Sequence, residues 1–169
     1  MSDSSRASAS NRTLVTYFSH SGNTREIALQ IKAATGADIF DIVPVSPYPT
    51  NYGAVVEQAK RELKADYRPE LKAAISNIAS YDVIFVGSPC WWSTIAPPVM
   101  TFLSSLDFSG KTIVPFITHE GSGLGKSVQD VKRLAPGAAV LEGQSFRGKD
   151  VKNARNDVVK WLREIKLLK

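Results

Sequence analysis

Three short stretches carry the residues best suited to chemistry, and the first is Ser19-His20-Ser21-Gly22-Asn23-Thr24. It follows the apolar run Leu14-Val15-Thr16-Tyr17-Phe18 and precedes a helical pattern that begins near Thr24. A strand that turns through hydroxyls and one glycine into a helix is an anion site. The first helical N–H groups have no intrahelical partner, and the macrodipole adds partial positive charge at the same place. The loop lacks the spaced glycines of a dinucleotide site. Three hydroxyls and an amide side chain stand instead, which suits the three oxygens of a terminal phosphate monoester. Taken alone, the stretch leaves sulfate, a sugar phosphate, a nucleotide and a plain N-cap all open.

The second stretch is Ser88-Pro89-Cys90-Trp91-Trp92-Ser93-Thr94-Ile95-Ala96-Pro97. Adjacent indoles at a ligand edge offer a flat apolar wall for a planar ring. The competing reading has one tryptophan covering the sheet edge and the other packing on the helix that Pro97 begins. The third stretch, Thr118-His119-Glu120-Gly121-Ser122-Gly123-Leu124-Gly125, exposes backbone groups through its glycines and lets a ligand approach closely.

Other chemistries fit poorly. Gly125-Lys126-Ser127 looks like the end of a triphosphate-binding P-loop, but that motif needs a glycine where Glu120 stands, and Gly121 leaves the spacing one residue short. Cys90 has Ala96 six residues on, where a cysteine phosphatase loop needs arginine. Neither paired carboxylates nor a Ser/His/Asp order suggests hydrolysis, and no metal-ligand cluster is evident. No catalytic residue is assigned.

The elements that position these stretches alternate along the chain. Thr13 to Phe18 reads as a strand buried on both faces, and Thr24 to Ala34 as a helix ended by Gly36. Ala37 to Val43 reads as an edge strand, and the prolines at 44, 47 and 49 exclude regular structure up to Thr50. Gly53 to Ala65 is helical, with Val56, Ala59 and Leu63 on one face. Leu71, Ile75 and Ile78 mark a further short helix. Asp82 to Gly87 is the clearest central strand. Pro97-Pro98 fits the first turn of a helix running to about Leu106. Lys111 to Ile117 is a strand to which Pro115 objects. A helix from near Leu124 to Leu134, a short strand at Ala138 to Leu141 and an amphipathic helix from Val151 to Ile165 complete the chain.

Strands alternating with helices imply a parallel sheet covered on both faces. Right-handed crossovers bring the three stretches to one edge of it, where ligands bind in open sheets.

On these residues the chain resembles the flavodoxin family. Ser19-x-Ser21-Gly22-Asn23-Thr24 after the first strand is similar to the flavodoxin phosphate loop. Val86-Gly87-Ser88-Pro89-x-Trp91-Trp92, followed by Pro97-Pro98, is similar to the subgroup whose ring-binding loop carries a double aromatic. The resemblance covers roughly Thr13 to the end. It implies a flavodoxin-like three-layer α/β sandwich, a five-stranded parallel sheet of order 2-1-3-4-5, and non-covalently bound FMN. Carried over, Ser19, Ser21, Gly22, Asn23 and Thr24 would hold the phosphate, with His20 adding its backbone N–H. Pro89, Cys90, Trp91, Trp92 and Ser93 would flank the isoalloxazine. Glu120, Gly121, Ser122 and Gly123 would lie along its polar edge, while His119 either joins them or caps the strand. The chain lacks the insertion in the last strand that marks the larger flavodoxins.

At 169 residues, 43% hydrophobic and 22% charged, the chain reads as one ordinary globular domain over 13–169 behind a small, polar tail at 1–12. No apolar run is long enough for a membrane span. The tail has no signal-peptide core, and one cysteine forms no internal disulfide, so a cytoplasmic setting is expected. The net charge of +5 is spread over presumed helix faces, which favours a solvated surface over a nucleic-acid patch. It also departs from the acidic electron-carrier flavodoxins, and less acid around the ring should raise the potential of the reduced anion. The expected function is electron transfer between redox partner proteins. The alternative is an FMN-dependent NAD(P)H:quinone-type oxidoreductase with a small electron acceptor. Oligomeric state is not legible.

Overall fold

The computed structural model describes residues 12–168. The central strands are β1 (Thr13–Tyr17), β3 (Val83–Trp91) and β5 (Thr112–His119), with β2 (Asp38–Asp41) at one edge. At the other edge the last strand is split into β6 (Ala139–Val140) and β7 (Gln144–Arg147), both paired in parallel with β5. The parallel order β2-β1-β3-β5-β6 is the expected 2-1-3-4-5 sheet. A two-residue strand, β4 (Thr94–Ile95), folds back antiparallel on the end of β3 and adds a small hairpin.

Alternation along each strand splits the core in two. Leu14, Ile84, Val86, Ile113 and Ile117 lie under α2 (Tyr52–Lys64), α3 (Pro97–Ser104) and α4 (Ser127–Leu134). Val15, Phe85, Val114, Phe116 and Phe146 lie under α1 (Asn23–Thr35) and α5 (Arg155–Glu164), whose Trp161 and Leu162 are buried there. The buried stripe of α1 is Thr24, Ile27, Ala28 and Ile31, spaced as one helical face requires. Gly36 ends that helix at φ 75°, its N–H donating to the Lys32 carbonyl at 2.8 Å.

Pro115 sits in the middle of β5, opposite Val86. The N–H of Thr112 donates to Asp82 on the β3 side, while the Ile113 carbonyl accepts from Leu141 on the other side. By parity the N–H that proline lacks would point outward at the Leu141–Gly143 break between β6 and β7, where no rung of the ladder is lost. Gly143, at φ 81°, passes so close that a Cβ there would meet the Pro115 carbonyl at 2.6 Å.

Several expected elements differ. Leu71, Ile75 and Ile78 form no α-helix. Val45 N–H donates to Glu70 and Lys72 N–H to Val43, so the start of this segment pairs with the proline-rich stretch in a single bridge at Leu71. The three side chains still pack on the core, and only Ile78–Ser80 makes a 3-10 turn. In α2 the buried residues are Val55 and Ala59, with Val56 only half-buried, and Asn51 caps the helix on Ala54 N–H. β7 has one fully buried apolar residue, Phe146, and was not expected from its sequence. The closing helix begins at Arg155, because Gly148–Asn153 is a 3-10 segment. The proposed tail lies outside the described residues except for Arg12. That residue is anchored: its N–H and carbonyl bond Asp82, its guanidinium meets Asp38 at 3.2 Å, and it covers the Tyr81 ring. Among the described residues no helix is long and apolar enough to cross a membrane.

Candidate functional site

The first loop leaves β1 at Phe18, whose N–H is fixed on the Gly87 carbonyl at 3.1 Å. Gly22 then takes φ 100° at the N-terminus of α1, a conformation that disfavours any side chain. Ser19 Oγ accepts from the Gly22 and Arg25 N–H groups at 3.1 and 3.2 Å and so shapes the turn from inside. The N–H groups of His20, Ser21 and Thr24 have no partner among the described residues. Three free donors at a helix start, with a left-handed glycine between them, form a cradle that fits a phosphate.

Thr24 is buried, and its hydroxyl lies 2.7 Å from that of Thr118. This pair joins the first loop to the third at the sheet edge. His20 joins the first loop to the second. Its Nε2–H donates to the Pro49 carbonyl at 2.8 Å, and its ring meets Trp91 edge-on at 5.7 Å. Trp91 also meets Phe18 at 5.5 Å and Tyr48 at 5.0 Å. The half-buried Trp91 is thus the hub of a four-ring cluster. Tyr48 donates to Glu62 at 2.5 Å, and burial together with that carboxylate pushes its phenol well above the ordinary range. It serves as a neutral wall.

The two tryptophans separate. Trp91 pairs with Thr94 across a two-residue turn in which Trp92 and Ser93 have φ 54° and 66°. Positive φ at both central positions is the twisted hairpin turn that strands favour, usually made by Asn-Gly. Here it directs Trp92 onto α2, where Nε1–H donates to the Val56 carbonyl at 3.0 Å and Lys60 sits over the ring. Trp92 is 50% exposed. Trp92 thus packs on α2, where the competing reading had the Pro97 helix, while Trp91 packs on Phe18 at the end of β1. Pro89 and Cys90 are half-buried and Ser93 exposed. Buried Ser88 closes the hairpin base, its Oγ accepting from Ala96 N–H at 2.8 Å.

The third loop is locked to the second at Gly125. A Cβ there would meet the Ser93 carbonyl at 2.3 Å, and Lys126 N–H donates to that same oxygen at 2.6 Å. His119 caps the strand, its Nδ1 accepting from Gly121 N–H at 2.9 Å. Burial first and the Arg147 charge second hold its pKa below the usual histidine value, against the pull of Glu120. Gly121, Ser122 and Gly123 present backbone at this rim. The Glu120 side chain behaves differently: Oε2 and the Asn23 amide nitrogen each lie 2.5 Å from where a Gly148 Cβ would stand. Glu120 therefore reaches the first loop, and only its backbone borders the third.

Sequence reasoning missed Phe18, Tyr48, Thr118, Arg147 and Gly148. Tyr48 hid in a stretch read only for its prolines, although an aromatic there follows the second strand onto the same edge. Arg147 and Gly148 follow from β7, which has no apolar run to betray it. Two open hollows of about 740 and 310 Å³ run along α5, but no residue of the three loops lines either, so neither carries the site.

The comparisons agree with this geometry. A family model described as Flavodoxin matches residues 12–165. No curated protein matches the chain. A protein from Bacteroides eggerthii DSM 20697, provisionally described as a flavoprotein, is 32% identical with a TM-score of 0.77, over 91% of this chain and 97% of its own. A provisionally described flavoprotein from Bacteroides uniformis ATCC 8492 is 29% identical with a TM-score of 0.80, over 90% and 98%. A Lactobacillus acidophilus NCFM flavoprotein solved in complex with FMN shares the fold at 23% identity, with a TM-score of 0.68 over 85% and 97%. With its parallel 2-1-3-4-5 sheet, its hydroxyl-rich first loop and a family match over nearly its whole length, this chain belongs to the flavodoxin family.

Proposed function

We propose that this protein binds FMN at the three loops and passes electrons between redox partners. The observation that carries the reading is His20, whose backbone belongs to the free N–H cradle while its ring packs on Trp91. One residue thus ties a phosphate-sized anion site to an aromatic wall, the two ends that a phosphorylated planar cofactor requires. When bound, FMN supplies the redox chemistry. The protein's share is to bind and orient. His20, Ser21 and Thr24 offer N–H donors, Ser19 holds the loop in shape, and Ser21 and Asn23 add polar side chains. Trp91 offers the apolar face, Pro89, Cys90 and Ser93 line the hairpin beside it, and Gly121 to Gly123 offer backbone groups for the polar edge.

A second reading, an FMN-dependent reductase drawing on NAD(P)H, is favoured by one observation. Trp92 is held on α2 by the Val56 carbonyl, so the two indoles do not both cover the wall, a condition that a second planar molecule over the flavin requires. The absorbance spectrum of the purified protein tests the shared part. A yellow protein that loses its colour when Ser21 and Thr24 are both replaced is expected, and failure to bind added FMN would remove both readings. Anaerobic NAD(P)H then separates them: rapid bleaching marks the reductase, and none marks the carrier.

A further inference from the structure

Arg147 ends β7 on the rim of the site, opposite His119 in the last rung of the ladder. Its neighbour Phe146 turns into the core under α1 and α5, so strand alternation sends Arg147 to the other face of the sheet. There its Nη2 lies 3.6 Å from where a Gly121 Cβ would stand, against the bare backbone of the third loop. The side chain is exposed and has no ion-pair or hydrogen-bond partner among the described residues. Glu120, the nearest acid in sequence, has its carboxylate at Gly148 and Asn23. Asp150 lines a hollow with Arg147 but is largely exposed, lies 3.9 Å from Lys149 and makes no ion pair with Arg147. From that position its charge adds to burial in lowering the His119 pKa.

We infer that Arg147 is a tuning residue of the cofactor site, its guanidinium stabilising the negative charge that reduction leaves on the ring at the third-loop edge. The inference rests on the FMN reading above. The oxidised ring is neutral. Two electrons and one proton convert it to an anion whose charge lies at the pyrimidine end. A cation beside Gly121 therefore acts on the ring charge only in the reduced state, and any pull on the phosphate is the same in both states and cancels from the ratio. The attraction is moderated by exposure and salt. It is expected to change the reduced-to-oxidised affinity ratio about tenfold. With no ion pair among the described residues, the guanidinium charge stays available.

The test compares wild type, Arg147→Gln and Arg147→Lys. Affinity for oxidised FMN is read by fluorescence quenching, and the two-electron potential by anaerobic dithionite titration against a reference dye. In Arg147→Gln, oxidised FMN should bind within about twofold of wild type. Reduced FMN should bind about tenfold more weakly than that, which is about 30 mV for a two-electron couple. Arg147→Lys keeps the charge and should keep most of the potential. In the FMN-free proteins, NMR titration should show the His119 pKa rising in Arg147→Gln, a readout independent of any cofactor. An unchanged potential in Arg147→Gln, or equal weakening of both oxidation states, would overturn the inference with the FMN reading intact. Failure of wild type to bind oxidised FMN would overturn that reading first and this inference with it.

Discussion

The hydroxyls of Thr24 and Thr118 stand 2.7 Å apart although 94 residues separate them, and both side chains are buried. One lies in the first turn of α1 and the other just before the end of β5, so this bond ties the phosphate cradle to the glycine loop. A buried hydroxyl deprived of its partner costs about 1–3 kcal/mol, whereas replacing both partners is nearly neutral. Thr118→Val should therefore destabilise by roughly that amount, and Thr24→Val/Thr118→Val by clearly less than the sum of the single changes. Urea denaturation of the four proteins measures the cycle. Additive losses would show that the bond couples nothing.

Gly125 is where two loops touch. Its φ of 54° disfavours a side chain, and a Cβ would fall 2.3 Å from the Ser93 carbonyl, a backbone atom that cannot swing aside. Gly125→Ala should cost about 1–2 kcal/mol from the left-handed conformation alone, with the clash adding to it. Gly22→Ala is the control, since φ is 100° there but nothing lies within 4 Å of the added carbon. Thermal melts should rank Gly125→Ala below Gly22→Ala. Only the former should loosen the Trp91–Ser93 hairpin, read as a change in tryptophan fluorescence.

The parts legible in the sequence were those with a local signature. Val83 to Val86 are buried on both faces and so form an apolar run. Gly22 and Gly36 mark the ends of α1, and the two prolines start α3. What escaped depends on partners distant in sequence. β7 exists because β5 offers it a ladder, not because Gln144–Arg147 favours a strand. Leu71 to Ile78 carries a helical spacing, yet its first turn is opened by the bridge that Glu70 and Lys72 make with Val45 and Val43. The double tryptophan looked like one wall. Only the positive φ of Trp92 and Ser93, invisible in residue types that rarely adopt it, divides the pair.

Acid should loosen the third loop. His119 accepts the Gly121 N–H through Nδ1, which must be unprotonated, and its pKa is lowered from 6.5, first by burial and then by Arg147. A histidine with a lowered folded-state pKa binds its proton more readily when unfolded. Its contribution is therefore fully present above about 6.5 and is lost as the pH falls through the depressed value. Stability measured by urea denaturation across that range should decline on acidification. His119→Gln should flatten that part of the profile. An unchanged profile in the variant would assign the acid sensitivity elsewhere.

Trp91 and Trp92 should answer differently to replacement. Trp91 meets Phe18, His20 and Tyr48 edge-on, and each aromatic pair is worth about 0.5–1.5 kcal/mol beyond its buried area. Trp91→Ala should thus destabilise by roughly 2–4 kcal/mol and weaken FMN binding with it. Trp92→Asn loses a half-exposed hydrogen bond to Val56 and the contact with Lys60, worth about 1–2 kcal/mol together. It also relieves about 1 kcal/mol of left-handed strain, because asparagine tolerates that conformation at the first position of the turn. Its stability should stay within about 1 kcal/mol of wild type, and oxidised FMN should still bind. Melting curves and fluorescence titrations on the two variants decide the matter. If Trp92→Asn loses FMN while Trp91→Ala retains it, the ring lies against Trp92 and the four-ring cluster is only a support for the hairpin.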